Sequence, residues 1–201
     1  TFLYLLDQEI LTPEEYGELK EKGEEGLSGY YDLYKNSAKE PVFLEYSLRR
    51  KNILWNDIPL TGTIDKIELT GKTEISSQYG DEQNSLFKDI VSLVDYKTGS
   101  VKSPGQIKGV DRYGNPKEDP SEGKYFRQLM FYKLLCENDS DFMDQFTIGS
   151  LALDFVEGKK GKYKFVEVEI TDEEFQDFKH KLSGARKQIN DIQCWKKILQ
   201  K

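Results

Sequence analysis

The sequence predicts an α/β fold, a sandwich in which helices flank a mixed β-sheet. The elements follow the order helix, three strands, helix, two strands, helix, and an α/β sandwich accommodates this order best. The third strand is apolar on both faces, which is typical of a central strand. At 201 residues the chain is long enough for one sizeable core, so we expect residues 1–201 to form a single domain.

The first half of the chain carries a helix and three strands. Thr12, Pro13 and Glu15 form a capping-box pattern at the start of "LTPEEYGELKEKGEEGLSGYYDLY", which predicts one or two helices. "VFLEYSLRR" alternates as a strand, and "IPLTGTIDKIEL" reads as a second strand with Gly62 inside it. "TGKTEISSQYGDEQNS" reads as a polar connection, and "FKDIVSLVDYKTG" is the third strand, whose two faces carry Val91 with Leu93 and Ile90 with Val94.

The second half predicts a long loop, a helix, a hairpin and a last helix. Residues 100–124 are rich in Gly, Pro and charge, which indicates a mobile or functional loop before the helix "YFRQLMFYKLLCEN". "FTIGSLALDFVEGKKGKYKFVEVEI" reads as a hairpin whose second strand carries Val166, Val168 and Ile170 on one face. A second capping box, Thr171 to Glu174, opens the last helix. Its apolar stripe predicts core packing by Phe175, Phe178, Leu182, Ala185 and Ile189.

Composition and charge exclude several functions. No apolar run approaches the roughly 18 residues of a membrane span. The net charge of -7 argues against nonspecific coating of nucleic acid, although a local basic groove remains possible. Cys136 and Cys194 are too few for a disulfide framework or an all-protein zinc site, so we expect buried thiols in a reducing, cytoplasmic setting. Because the chain begins at Thr1 without a signal peptide, we expect it to be a piece of something longer.

The stretch "SLVDYKTGS" places charged residues at the end of an apolar strand. Asp95 and Lys97 are two apart and project from one face, while Tyr96 projects from the other. Asp65, in "GTIDKIEL", could lie beside Asp95 on a neighbouring strand. Two close carboxylates repel unless a cation lies between them, and such oxygen ligands suit Mg²⁺ or Mn²⁺. A lysine there could orient an attacking water in phosphodiester hydrolysis; the alternative is a surface ion pair.

Three motifs, "GTIDKIE", "VDYKTG" and "QLMFY", resemble the RecB-like branch of the PD-(D/E)XK nucleases in order and spacing. That branch occurs at the C-terminus of UvrD/Rep-type DNA helicases and in AddB-like proteins. The resemblance implies a restriction-endonuclease-like three-layer sandwich and a Mg²⁺- or Mn²⁺-dependent deoxyribonuclease that resembles exonucleases. It implies single-stranded or unwound DNA as substrate, delivered by a helicase region of the parent chain in repair or recombination. One rival interpretation is a non-cleaving DNA-binding or scaffolding module with an incomplete site, and another is a stand-alone nuclease of a different PD-(D/E)XK branch.

The resemblance also implies roles for individual residues. Asp65 and Asp95 would bind the metal, with the backbone carbonyl of Tyr96 as a further ligand, and Lys97 would be the catalytic lysine.

Gln128 and Tyr132 match the family's Gln-xxx-Tyr helix motif. They are four apart and share one helix face, where they could hold the lysine, a water or the DNA backbone; Tyr132 could also be plain core. Glu45, in "VFLEYSL", matches a glutamate often found upstream. It could support the metal ligands from behind or be an exposed strand residue.

Two features depart from the family's pattern. Family members usually carry a metal-binding histidine on an N-terminal helix in a Gly-xxx-His pattern, whereas the one histidine here, His180, lies in the last helix. Either that histidine lies outside this sequence or the site is incomplete. Some relatives hold an iron–sulfur cluster with four cysteines, which two cysteines cannot do, though Cys194 leaves room for a truncated motif.

Two segments are candidates for DNA contacts. The loop from the catalytic strand to the Gln-Tyr helix interleaves basic and aromatic residues, which suits single-stranded DNA. Four acidic residues dilute its charge, so a solvated loop is the alternative. "RRKN", with Arg49, Arg50 and Lys51, is the second segment. The loop's candidates are Lys102, Lys108, Arg112, Tyr113, Lys117, Lys124 and Phe126, and its acidic residues are Asp111, Glu118, Asp119 and Glu122.

Overall fold

A computed structural model describes residues 2–36, 41–75, 86–118, 122–157 and 163–191, and it has an α/β architecture with helices flanking a mixed sheet. The helices are α1 (Phe2–Leu6), α2 (Pro13–Tyr34), α3 (Pro104–Lys108), α4 (Lys124–Glu137), α5 (Ser140–Gln145) and α6 (Asp172–Asn190). The strands are β1 (Pro41–Ser47), β2 (Ile53–Trp55), β3 (Ile58–Leu60), β4 (Thr63–Ile75), β5 (Leu86–Lys97), β6 (Phe146–Phe155) and β7 (Lys164–Glu167).

The main sheet has five strands in the order β1-β4-β5-β6-β7. β5 and β6 are parallel, and the other neighbouring strands are antiparallel. The parallel pair requires a crossover, which α3, α4 and α5 supply. β5 lies at the centre and is buried from Val91 to Asp95, so the predicted central strand is confirmed.

The prediction of one continuous strand over "IPLTGTIDKIEL" is wrong. β3 pairs with β2 in a separate two-stranded sheet, and β4 begins only after Gly62. A Cβ on Gly62 would lie 2.8 Å from Leu135 Cδ1, so the chain passes close to α4 at this break. β4 also continues to Ile75 and pairs with Leu86, so the start of the predicted polar connection is strand. Its remainder, residues 76–85, lies outside the described residues.

Capping boxes begin α2 and α6 where the sequence predicts them. Thr12 donates its backbone N–H to Glu15 Oε2 at 2.8 Å and accepts the Glu15 N–H at 3.3 Å. Thr171 and Glu174 exchange the equivalent bonds at 2.9 and 3.2 Å. These reciprocal bonds satisfy backbone groups that a helix start leaves unpaired.

The predicted core stripe of α6 is only partly correct. Phe175 is buried, and Phe178 and Leu182 pack partly buried against the core. Ala185 and Ile189 are exposed, because only the first half of α6 covers the core.

The crossover contains two helices that the sequence analysis missed. α3 begins with a third capping box, in which Ser103 donates its backbone N–H to Gln106 Oε1 at 2.9 Å. α5 is short and leads directly into β6. The predicted hairpin after it is confirmed, since β6 and β7 pair antiparallel. Its second strand is shorter than predicted, because β7 ends at Glu167, before Val168 and Ile170.

No helix among the described residues is long and apolar enough to cross a membrane. Cys136 is buried on α4, and burial raises the pKa of its thiol to about 12, so it is a structural thiol as predicted. Cys194 lies outside the described residues.

Candidate active site

The C-terminal end of β5 meets α4 and places four polar side chains in contact. Asp95 and Lys97 project from the same face of β5, as the period-2 pattern predicts, and their side chains form an ion pair through Asp95 Oδ2. Gln128 and Tyr132 lie one helical turn apart on α4 and face the same carboxylate. We call these four residues the β5–α4 cluster.

Gln128 connects all the members of the β5–α4 cluster. Its Oε1 accepts a hydrogen bond from Lys97 Nζ at 2.9 Å. Its Nε2 donates to Asp95 Oδ1 at 2.7 Å and to the Tyr132 hydroxyl oxygen at 2.8 Å. The Tyr132 hydroxyl donates in turn to Asp95 Oδ1 at 2.8 Å. Each donor therefore has a defined acceptor, and the amide orientation is fixed by its neighbours.

Burial controls the electrostatics of the β5–α4 cluster. Asp95 is only 2% exposed, and this burial raises the pKa of its carboxyl group. The Lys97 ammonium and the Tyr132 hydroxyl oppose the rise, whereas the negative charge of Asp65 adds to it. Burial, together with the charge of Asp95, also raises the pKa of Tyr132, so this phenol stays a hydrogen-bond donor at neutral pH.

Asp65 lies on β4, next to the cluster, as the sequence predicts. Its Oδ2 accepts the backbone N–H of Tyr96 at 2.9 Å, which ties the carboxylate to the strand that carries Asp95. The side chain of Tyr96 makes a separate contact: the ammonium of Lys66 lies 5.3 Å from its ring centroid.

Few groups that could bind a metal ion lie near Asp65 and Asp95. Across the parts of the chain that the structure describes, no group of three or more His, Cys, Asp or Glu side chains is placed to hold a metal ion. The donor set is two carboxylates, those of Asp65 and Asp95, and one peptide oxygen, that of Tyr96, which follows Asp95 in the chain. Mg²⁺ often binds through one or two carboxylates and keeps several waters, so this set fits a hydrated hard cation.

Tyr125 is a site residue that the sequence analysis missed. It lies on α4 in the turn before Gln128, and Lys97 Nζ is 4.9 Å from its ring centroid. The ammonium of Lys97 thus contacts a carboxylate, an amide oxygen and an aromatic face. The signal was present in the sequence, because residues three apart on a helix are neighbours.

The structure does not bring Glu45 into the cluster. Glu45 is exposed on the edge strand β1, with a φ of 50°, and its side chain makes no hydrogen bond or ion pair with any described residue. Its position corresponds to the exposed-strand alternative. His180 lies on α6, the last helix, and is likewise exposed.

The candidate DNA contacts are dispersed, and ion pairs neutralise several of them. Lys108 pairs with Glu174 at 2.6 Å, Lys117 with Glu122 at 3.0 Å, and Lys51 with Asp139 at 2.7 Å. Arg112 and Tyr113 contact each other in a turn organised by Asp111, Phe126 is buried, and Arg49 and Arg50 are exposed. Lys102 and Lys124 form no ion pair with a described residue, so they remain the strongest candidates.

A second buried carboxylate lies on the opposite face of the sheet. Asp154, on β6, is 1% exposed, and its Oδ2 accepts a hydrogen bond from the Tyr30 hydroxyl of α2. Burial raises its pKa, and the nearby Lys66, which pairs with Glu68 at 3.0 Å, opposes the rise. An aspartate inside the apolar run "LALDF" is the signal that the sequence analysis overlooked.

Comparison with known proteins adds no identification. No protein-family model matches the chain, and no curated protein matches it. The function is therefore argued from the geometry of the β5–α4 cluster and from Asp65.

Proposed function

We propose that this chain is a RecB-like nuclease domain of the PD-(D/E)XK type, which hydrolyses phosphodiester bonds in single-stranded or unwound DNA. The single observation that carries the proposal is the bonded β5–α4 cluster, in which Gln128 links the Asp95 carboxylate to the Lys97 ammonium. The proposed fold is the restriction-endonuclease-like three-layer sandwich, and the five-stranded mixed sheet flanked by helices supports it. The proposed partners are DNA and a helicase region of the same parent chain, in cytoplasmic repair or recombination.

Structural stabilisation by an ion pair does not by itself account for the β5–α4 cluster. Burying an ion pair costs several kcal/mol per ion, and well-packed apolar residues at such positions are often equally or more stabilising. Here an ammonium, an amide and a phenol converge on one buried carboxylate, Asp95, at the end of a central strand. Titratable groups whose pKa values are strongly perturbed by burial and by specific partners are typical of functional sites.

Each residue has a chemical role in the proposed reaction. Asp65, Asp95 and the Tyr96 carbonyl would hold Mg²⁺ or Mn²⁺, which acidifies a bound water and offsets phosphate charge when present. Lys97 orients a water by hydrogen bonding and stabilises the negative charge that develops on the reacting phosphate. Gln128 holds the ammonium of Lys97 at a fixed position through its Oε1.

A second candidate function is a non-cleaving DNA-binding or scaffolding module. The specific observation that favours it is the short list of ligands: no third acidic, histidine or cysteine side chain joins Asp65 and Asp95 among the described residues. His180 is remote in sequence and exposed on α6.

A cleavage assay distinguishes the two functions. The protein is incubated with end-labelled single-stranded DNA and Mg²⁺ or Mn²⁺, and a chelator provides the blank. We expect cleavage by the parent and a loss of roughly 10²- to 10³-fold in Lys97→Ala, since removing one group that stabilises transition-state charge typically has this effect. Lys187→Ala, which removes an exposed lysine of α6, is the matched control and should cleave like the parent.

The outcomes separate the proposals. DNA binding without cleavage by the parent would favour the non-cleaving module. Equal cleavage by the parent and Lys97→Ala would refute the role assigned to the cluster. A parent that neither binds nor cleaves DNA would refute both the nuclease and the DNA-binding module.

A further inference from the structure

We infer that Tyr125 is a stacking platform for one base of the substrate strand, and that Lys102 and Lys124 bind the phosphates beside that base. The inference rests on the proposed function and adds the path by which single-stranded DNA reaches Lys97. It assigns the contact to Tyr125 rather than to the loop aromatics Tyr113 and Phe126.

Tyr125 connects the β5–α4 cluster to a neighbouring cleft. Lys97 Nζ lies 4.9 Å from the centroid of its ring. The ring is partly exposed and also lines a cleft of about 270 Å³, a volume near that of the smaller ligand sites in proteins. Phe155 supports the ring from the sheet in an edge-on contact, with centroids 6.3 Å apart. A base that contacts this ring would therefore lie close to the ammonium of Lys97.

The cleft has the charge that a nucleotide requires. Lys102 and Lys124 line it, and neither is neutralised by a carboxylate of the described residues. The acidic residue of the lining, Glu122, is paired with Lys117 at 3.0 Å. Gln106 uses its Oε1 to accept the Ser103 N–H, which leaves its amide N–H groups available as donors.

Base stacking can displace the contact that the ring makes with Lys124. Lys124 is exposed, and its Nζ lies 5.2 Å from the Tyr125 centroid. An exposed cation–π contact favours association by only about 2- to 5-fold, whereas stacking of a base on an aromatic side chain contributes about 5- to 150-fold. A stacked base therefore replaces the Lys124 ammonium on the ring, and the released ammonium can bind a phosphate.

The other side of the β5 end is unsuitable for a phosphate chain. A cleft of about 510 Å³ lies there between α2 and the residues that follow β5. Its charged lining is mainly acidic, and its one lysine is already paired with a glutamate at 2.8 Å. The charged residues are Glu18, Glu21, Lys22, Glu25 and Glu157. Repulsion by these carboxylates directs the strand to the Tyr125 side.

The buried position of Phe126 removes the main alternative platform. Phe126 is only 7% exposed, and its ring contacts Lys108 Nζ at 4.9 Å. Tyr113 is exposed, but it lies in the turn of Asp111 with Arg112 over its ring at 4.6 Å.

Equilibrium binding of fluorescent oligothymidylate, measured by anisotropy with a chelator to prevent cleavage, tests the inference. Tyr125→Leu should bind about 5- to 150-fold more weakly than the parent, and Tyr125→Phe should bind like the parent. An abasic oligonucleotide of the same length should lose affinity for the parent and show no further loss with Tyr125→Leu. Equal binding of oligothymidylate by the parent and Tyr125→Leu would overturn the inference.

The lysines are tested separately with a charge-matched control. Lys102→Glu and Lys124→Glu should each weaken binding and flatten its salt dependence, whereas Lys187→Glu should do neither. Equal effects of all three substitutions would overturn the phosphate assignment. If Tyr125→Leu does not fold, equal binding of the abasic and the normal oligonucleotide by the parent would still refute the stacking role. A parent that cuts DNA but does not discriminate these oligonucleotides refutes this inference alone, while a parent that neither binds nor cuts DNA refutes the proposed function.

Discussion

Replacing Tyr132 by Phe removes one hydroxyl from the β5–α4 cluster and nothing else. That hydroxyl donates to Asp95 Oδ1 at 2.8 Å, and Tyr132 is only 6% exposed, so water cannot readily replace the bond. Hydrogen bonds to charged groups contribute about 1.5–3 kcal/mol to stability. We expect Tyr132→Phe to lower the free energy of unfolding by about this amount at neutral pH.

Urea denaturation measures the loss. For a urea m-value of about 2 kcal/mol/M, the midpoint should shift by roughly 1 M. Tyr16→Phe is the matched control, since the Tyr16 hydroxyl also donates to an aspartate, Asp7, but at an exposed position. Its effect should be much smaller, because solvent competes for an exposed bond and screens the charge.

The pH dependence of the loss has a defined sign. The Tyr132 hydroxyl stabilises the ionised carboxylate and so lowers the pKa of Asp95; removing the hydroxyl raises the folded-state pKa further. The loss should be complete above the variant's Asp95 pKa and shrink as the pH falls through that range and protonates Asp95. Equal destabilisation by Tyr132→Phe and Tyr16→Phe, or a loss that grows on acidification, would refute this reasoning.

Three further predictions concern the metal, the thiol and the helix caps. Asp65→Ala and Asp95→Ala should each lose Mn²⁺ binding by calorimetry, whereas Lys97→Ala should keep it, because its ammonium is a competing cation on Asp95 Oδ2; equal affinity in all three and the parent would remove the site. Cys136 should resist a thiol reagent in the native protein at neutral pH, since its thiol is buried with a pKa near 12; rapid labelling would contradict this. Thr171→Ala should cost about 1 kcal/mol in urea denaturation; an unchanged midpoint would show that the cap contributes nothing.

The β5–α4 cluster could be predicted because two local periods determine it. A strand puts Asp95 and Lys97 on one face, and a helix puts Gln128 and Tyr132 on one face. Only their mutual approach required the fold. The strand break at Gly62 could not be predicted in this way, because it depends on the approach of α4, which is distant in sequence.

The contact of Asp154 with Tyr30 escaped the sequence analysis. Asp154 meets Tyr30 because β6 lies parallel to β5 and α2 packs across the sheet, contacts that no local period encodes. α3 is a different case, since the Ser103–Gln106 capping box is visible in the sequence but lies inside a segment dominated by Gly, Pro and charge. The Gly, Pro and charged residues of the segment led to a loop prediction, although the capping box correctly indicated a helix.

Asp154 provides a last test of how burial affects this sheet. Burial raises the folded-state pKa of Asp154 above its unfolded value, while the Tyr30 hydroxyl and Lys66 reduce the shift. The folded state therefore binds this proton more tightly than the unfolded state, and the stability from protonation is present below the unfolded pKa and lost as the pH rises through the folded pKa.

Asn at position 154 does not titrate, so the variant isolates this contribution. The free energy of unfolding of the parent minus that of Asp154→Asn should be greatest below the ordinary aspartate pKa of about 4 and should fall toward a plateau at neutral pH. Urea denaturation of both proteins across this range measures the difference. Other carboxylates, such as Glu174 and Asp111, have lowered pKa values and destabilise both proteins equally on acidification, so they cancel. A difference that stays constant, or rises with pH, would show that the charged form of Asp154 is not penalised by burial, and that Tyr30 and Lys66 compensate it fully.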